Sequence, residues 1–255
     1  MVSYDFTGRT AIITGGAGGF GRAIAARLHA SGASVALWDL DAPGVAAAAQ
    51  VLGERALGLT VDTTDEVAVA AAARAVLKRF DRIDFLINNA GILGPVSNTW
   101  EHSTEDFRRV LDINLTGTFI CCRVIVPLLL ANAPEPKRGQ RGHIVNVSSI
   151  QAKEGMPRAA AYAASKAGIV SLTKTLGKEL AESGIPVNAV TPAIVATPMA
   201  AGLPPEREKE ILARIPMRRF GTVEEIAAQI AWLCSEDCSF ATGAIFDLSG
   251  GRATY

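Results

Sequence analysis

Short apolar runs rich in β-branched residues alternate along this chain with longer, Ala-rich stretches whose apolar positions recur at helical spacing. The short runs cover 10–14, 34–39, 56–61, 83–88, 143–148, 186–191 and 244–248, are bounded by Gly, Pro, Asn or Asp, and are predicted as strands. Helices are predicted near 19–31, 43–52, 65–79, 105–131, 160–182 and 222–235. Two of them have legible starts, because Thr63 with Glu66 and Thr222 with Glu225 stand at the spacing of a capping box. Apolar strands alternating with helices specify a parallel sheet covered on both faces and joined by right-handed crossovers. The prediction is a single doubly wound α/β domain over residues 1–255 with a seven-stranded parallel sheet. The segment 131–142, rich in Pro, Gly and basic residues, is read as a solvated surface loop within that domain.

Composition narrows the function. The 255 residues include 25 Lys+Arg and 25 Asp+Glu, so the chain has no net formal charge and no electrostatic footprint for a nucleic-acid backbone or an anionic membrane. Neither partner is expected. Hydrophobic residues make up 49% of the chain, enough for one large core. Cys121, Cys122, Cys234 and Cys238 form no CxxC pair, and His29, His102 and His143 are scattered, so no metal site is expected. The adjacent thiols at 121 and 122 lie in an apolar helical run and are read as small buried hydrophobes. The first ten residues lack a basic stretch followed by an apolar one, and the apolar runs are read as too short to span a bilayer. A cytoplasmic protein is expected.

Directly after the first strand comes TGGAGGFG at 14–21, opening the first helix. Gly16, Gly18 and Gly21 satisfy GxGxxG, while Gly15, Gly19 and Gly21 satisfy the related GxxxGxG. Such a turn lets the backbone approach a pyrophosphate, whose charge is favoured at a helix N-terminus. The strand–turn–helix context, followed by Asp39 at the end of the second strand, makes this a Rossmann-type dinucleotide signature. A carboxylate at that position accepts hydrogen bonds from ribose hydroxyls and repels a 2′-phosphate. No Lys or Arg is immediately beside it, so NAD is favoured over NADP. Trp38 reads as a packing aromatic or a border of the adenosine end. Asp62, at the third strand's end, reads as a turn former or a partner for the adenine amino group.

Tyr162 and Lys166 stand four apart on one helix face, where an ammonium favours the phenolate of a neighbouring tyrosine. Ser149 lies just past the fifth strand, at the carboxyl end where α/β sheets meet their ligands. Together with NNAG at 88–91, Asn114 and NAVTPAIVAT at 188–197, these residues resemble the classical short-chain dehydrogenase/reductase family over essentially the whole chain. The resemblance implies that Tyr162 is the acid/base, that Ser149 polarises the substrate oxygen, and that Lys166 lowers the tyrosine pKa and holds the nicotinamide ribose. It also implies that Asn114 holds a water in a proton relay; an Asn inside a helix has low propensity, so a backbone irregularity is expected there. The cofactor set it implies comprises Gly15, Gly19, Phe20 and Gly21, then Asp39, Leu40 and Asp62, then Asn89, Ala90 and Gly91. Tyr162, Lys166, Pro192, Ile194, Val195 and Thr197 complete it, the last as a partner of the carboxamide. On this reading residues 1–142 form the cofactor half and residues 143–255 the catalytic and substrate half.

The chain departs from the family twice: Ala193 follows Pro192 where Gly is usual, which questions the local loop geometry, and LSGG at 248–251 replaces the frequent Asp-Gly-Gly. Between Ser149 and Tyr162 the rim is polar, with Gln151, Lys153, Glu154 and Arg158. A small hydroxylated or carboxylated substrate is therefore expected, such as a sugar, polyol or deoxy sugar acid, with Arg158 or Lys153 as carboxylate partners. The segment 202–217 resembles the family's mobile substrate loop, and the tail 252–255 resembles one that approaches a neighbouring subunit's site. A homotetramer is expected from the resemblance and from the apolar surface of the two longest helices. The alternatives are a 3-oxoacyl carrier-protein reductase, disfavoured by Asp39, and a non-catalytic dinucleotide sensor, which has no chemical need for Ser149, Tyr162 and Lys166 together.

Overall fold

The computed structural model describes residues 4–196 and 204–255. The first half runs β1 (Thr10–Thr14), α1 (Gly19–Ala30), β2 (Ser34–Asp39), α2 (Ala42–Leu52), β3 (Ala56–Thr60), α3 (Glu66–Phe80) and β4 (Phe85–Asn88). There follow α4 (Thr104–Leu111), one π-helical turn (Asp112–Thr116), α5 (Gly117–Leu130), β5 (His143–Val147) and the single turn α6 (Gln151–Glu154). The chain ends with α7 (Ala160–Glu179), β6 (Val187–Pro192), α8 (Pro205–Ala213), α9 (Val223–Leu233) and β7 (Ile245–Leu248). All seven strands are parallel, in the order β3-β2-β1-β4-β5-β6-β7.

Every residue of β1, β4 and β5 is buried, as expected of strands covered on both faces. Consecutive side chains enter opposite cores. Ile13, Leu37, Ile87 and Val145 pack with Ile24 and Leu28 of α1 and Ile230 of α9. Their neighbours Ile12, Trp38, Leu86 and Ile144 pack with Val69 and Val76 of α3 and Ile125 and Leu129 of α5. Each such aliphatic side chain contributes roughly 1.5–3 kcal/mol on burial. Trp38 is fully buried, so it is a core residue and does not border a ligand. The four cysteines are buried free thiols, and burial pushes Cys122 up to about 12 and Cys238 up to about 11.

Two local expectations change. Asp65, not Thr63, caps α3 by accepting from the amides of Val67 (2.8 Å) and Ala68 (3.2 Å). Glu66 instead reaches Arg123 at 2.9 Å, and Thr63 is buried against Gly117. The carboxylate adjacent to the first turn takes the role of the more distant hydroxyl. The capping box at Thr222 and Glu225 forms as expected. The second change concerns α4, the π turn and α5, which run as one helix from Thr104 to Leu130, long and apolar enough by length and composition to cross a membrane. This differs from the expectation of short apolar runs. Its most apolar window is 44% buried inside the domain, where Ile120, Cys121, Ile125 and Leu129 pack on the sheet.

Candidate active site

The carboxyl ends of β1, β2, β4, β5 and β6 converge on one edge of the sheet, and the predicted site residues emerge there. After β1 the chain turns at Gly15 with φ 65°, and a side chain at Gly21 would collide with the Gly15 carbonyl, so only glycine permits this tight entry into α1. No side chain caps α1 and no acidic residue occupies its first turn. Its leading amides are therefore free to bind an anion. Asp39 holds the turn from the other side, accepting from the amides of Ala17 (2.9 Å) and Asp41 (3.1 Å). Phe20 is partly buried, whereas Leu40 is exposed. Asp62 is exposed and accepts from the amide (2.9 Å) and hydroxyl (2.7 Å) of Thr64, the geometry of an Asx turn.

Asn89 anchors the glycine turn. Its side-chain amide donates to the carbonyls of Thr14 (2.9 Å) and Gly15 (3.2 Å), while the backbone amides of Asn89 and Ala90 donate to the Thr14 hydroxyl. Gly91 comes next, and a Cβ there would lie 3.1 Å from Asn114 Oδ1 and 3.4 Å from Lys166 Nζ. Asn114 sits fully buried in the π turn, the backbone irregularity expected of it. It accepts from the Ile92 amide (2.8 Å) and donates to the Ile92 carbonyl (2.9 Å) and Ser165 hydroxyl (3.0 Å). Ser165 escaped the sequence reading although it lies inside the Tyr162–Lys166 helix turn; its hydroxyl donates to the Tyr162 carbonyl at 2.7 Å.

Tyr162, Lys166 and Ser149 come together. Lys166 Nζ stands 5.7 Å from the centre of the Tyr162 ring and donates to the Val147 carbonyl at 2.9 Å. Ser148, another residue missed in sequence, ties β5 to the same helix by donating to the Lys166 carbonyl at 2.8 Å. Burial holds the Lys166 ammonium down to about 8. Burial raises the Tyr162 phenol above its usual value, opposed by a hydrogen bond from Ser149. This reverses the expected depression, because within the protein alone desolvation outweighs the help of neighbouring groups. The arrangement nevertheless provides a phenol, a hydroxyl donor and an amine around one point, as proton transfer at a hydroxyl or carbonyl requires.

Pro192 and Val195 are buried and Ile194 is partly exposed; Val195 bridges Gly221, and Ala193 is not among the residues with positive φ. Alanine therefore fits where the family has Gly. Thr197 lies outside the described residues, as does the start of the segment 202–217, whose later part forms α8. At the rim, the Gln151 amide donates to Ser149 Oγ at 3.2 Å. Lys153 is paired with Asp247 at 3.2 Å, which removes it as a free carboxylate partner. Arg158 is exposed, has φ 69°, and makes no side-chain hydrogen bond or ion pair among the described residues. The tail does not extend away: Arg252 grips Glu154 of its own chain.

Comparison with known proteins agrees with this geometry. Residues 15–253 match a family model described as enoyl-(acyl carrier protein) reductase. The 2-dehydro-3-deoxy-L-rhamnonate dehydrogenase (NAD(+)) of Sphingomonas sp. (strain SKA58) is 45% identical, covering 98% of this chain and 97% of that protein. Glucose 1-dehydrogenase 2 of Bacillus subtilis (strain 168) is 35% identical over 98% of this chain and 97% of its own length. Among solved structures, 3-ketoacyl-(acyl-carrier-protein) reductase from Brucella melitensis, complexed with NADH, superposes with TM-score 0.90 at 34% identity, covering 98% and 100% of the two chains. An NAD+-bound xylitol dehydrogenase gives TM-score 0.89 at 32% identity over 96% and 99%.

The chain belongs to the short-chain dehydrogenase/reductase family. It is an NAD-dependent oxidoreductase that interconverts a secondary alcohol and a ketone. The uncapped amides of α1, the tight glycine turn and the carboxylate of Asp39 fit that cofactor.

Proposed function

We propose that the enzyme oxidises a secondary hydroxyl of a small, polyhydroxylated acid of the deoxy sugar acid type, with Tyr162 as general base. The observation that carries the chemistry is the convergence of Ser149, Tyr162 and Lys166, with Lys166 Nζ 5.7 Å from the centre of the Tyr162 ring. NAD supplies the acceptor for the hydride released from the carbinol carbon. Tyr162 takes the hydroxyl proton, and Ser149 donates to the substrate oxygen and holds it against the phenol. Lys166, fixed by the Val147 carbonyl, lends positive charge to the phenolate and holds the cofactor's ribose. Asn114 supports a proton relay leading away from Lys166. Asp39 and the amides of α1 bind the cofactor's ribose and pyrophosphate, Asp62 the adenine, and the backbone of 89–91 and 192–195 the nicotinamide end, with Thr197 on the carboxamide.

For the substrate, the polar rim and the exposed guanidinium of Arg158, unpaired among the described residues, favour a carboxylate, and the Sphingomonas relative is named for a deoxy sugar acid. A 3-oxoacyl carrier-protein reductase is the rival, since such an enzyme from Thermotoga maritima is 35% identical. Asp39 weighs against NADPH, and no basic cluster for a carrier protein stands out. We further propose a homotetramer formed through α5 and α7, with Phe119 and Leu130 of α5 left exposed for it. Four buried free thiols suit a reducing cytoplasm.

The test is a panel of sugar acids, polyols and 3-oxoacyl thioesters followed by NADH absorbance, with Tyr162→Phe alongside. A deoxy sugar acid should give the highest kcat/KM, and Tyr162→Phe should lower turnover at least ~100-fold while NAD still binds. Near-normal turnover by Tyr162→Phe would reopen the mechanism, and a preference for thioesters would replace the substrate assignment.

A further inference from the structure

A helix of one turn cannot hold itself together in water, because nucleation costs more than a single turn of hydrogen bonds returns. Yet α6 begins two residues after Ser149, and its first amide, that of Gln151, donates to Ser149 Oγ at 3.2 Å. The orientation of the Ser149 hydroxyl therefore depends on a turn that something else must stabilise. The far end of α6 is gripped by the chain's own C-terminal segment. Arg252 makes a two-pronged ion pair with Glu154, Nε at 2.9 Å and Nη2 at 2.5 Å from Oε2. Lys153 meets Asp247 at 3.2 Å, and the Tyr255 hydroxyl donates to the Lys153 carbonyl at 3.0 Å.

The segment that grips α6 is itself fixed. Asp247 accepts from the amide and hydroxyl of Ser249, and Ser249 Oγ accepts from the Ala253 amide at 3.0 Å. On its other side, the Met217 amide donates to the Gly250 carbonyl at 3.1 Å, so the tail lies against the stretch that follows α8. The Arg252 and Glu154 side chains are only 11% and 29% exposed, which spares the pair much of the solvent screening that weakens surface ion pairs.

We propose that Arg252, with Tyr255 and the Lys153–Asp247 pair, forms a C-terminal strap that clamps α6 and thereby positions Ser149 for the reaction. Arg252 and Glu154 are positioning residues: neither is required to touch the substrate. The strap acts within one chain, on the loop between Ser149 and Tyr162, and it links that loop to the segment after α8. This inference rests on the reading of Ser149 as the group that holds the substrate oxygen.

The test combines exchange, kinetics and a mutant cycle. In Arg252→Ala, hydrogen exchange of the amides of residues 152–155, which donate back to residues 149–151, should accelerate relative to the sheet. Turnover should fall by about 10-fold or more, with the dissociation constant of NAD changed less than about twofold. The reversed pair Glu154→Arg/Arg252→Glu should recover most of both losses. Removing Ser149 should remove the effect, so that adding Arg252→Ala to Ser149→Ala costs little further turnover. An equal loss in both backgrounds would overturn the strap while leaving Ser149's role standing, whereas a Ser149→Ala enzyme with normal turnover would overturn that role first. Should Arg252→Ala not fold, Glu154→Gln and Tyr255→Phe carry the same exchange and turnover readouts. Unchanged exchange at 152–155, or a reversed pair that regains stability but not turnover, also refutes the proposal.

Discussion

Replacing Asp39 by Asn is the most informative perturbation of the cofactor site, because the carboxylate has two duties. Its oxygens accept from the amides of Ala17 at 2.9 Å and Asp41 at 3.1 Å. Asparagine keeps one acceptor and turns an NH2 toward the other amide, so one charge-assisted hydrogen bond is lost; such a bond is worth about 1.5–3 kcal/mol. Transmitted to the glycine turn, that loss corresponds to a fall in NAD affinity of roughly 10- to 100-fold. NADP shares that loss but also gains. A unit negative charge ~5 Å from the carboxylate is repelled by about 3 kcal/mol at an effective dielectric near 20, and Asp39→Asn removes that repulsion. The shared loss at the turn cancels in the NAD:NADP ratio of kcat/KM, so that ratio, expected to be at least about 100 in the native enzyme, should collapse toward unity through the removed repulsion alone. Initial rates with each cofactor and a titration of NAD against protein fluorescence measure the two contributions separately. Asp41→Asn is the control: its side chain caps α2 by accepting from the Gly44 amide at 3.0 Å, so it should alter stability and leave the ratio alone. Equal use of both cofactors by the native enzyme, or an unchanged ratio in Asp39→Asn, would refute the argument.

Two further outcomes are expected. Light scattering at micromolar concentration should give four times the chain mass, and a monomer mass would remove α5 and α7 as an interface. His143 is buried, with burial holding its imidazole down to about 4 against an ordinary 6.5. The unfolded chain therefore binds the extra proton first: stability is full above pH 6.5 and falls by about 3 kcal/mol as pH drops toward 4. Urea unfolding across that range should show the slope, and His143→Gln should flatten it; an unchanged slope would assign the acid sensitivity to other groups.

The sheet was legible because its signals are local. β1 and β2 begin and end where the apolar runs do, and the glycine turn with Asp39 is a backbone requirement written directly in residue types. What was not legible depends on residues far apart in sequence. Lys153 reads as a free cation until the fold brings Asp247 to it across 94 positions. The Tyr162 phenol reads as lowered by Lys166 until burial is known, and burial is a property of the packed site. Thr63 reads as a cap because its spacing to Glu66 is right, yet Asp65 is nearer the free amides and Glu66 is drawn away to Arg123 on α5.

Asn114 shows how the two halves of the site are held in register. Three side-chain hydrogen bonds tie it to its surroundings: two to the backbone of Ile92, just beyond the β4 end that also anchors the glycine turn through Asn89, and one to Ser165 on the helix of Tyr162 and Lys166. An unperturbed α-helix could not supply this arrangement as readily, because the side chain would compete with the backbone of its own turn. The π turn at Asp112–Thr116 instead widens the helix at the point where the asparagine must reach both neighbours. The Thr118 hydroxyl donates to the Asn114 carbonyl at 2.8 Å, compensating part of the disturbed backbone bonding. The glycine turn and the helix of Tyr162 and Lys166 are thus connected through one buried amide. Gly91, a close neighbour of both Asn114 and Lys166, leaves the space that a side chain there would take from them. A residue of low helix propensity is retained in a long apolar helix because its amide satisfies two elements at once, and the local irregularity is the conformational cost of that connection.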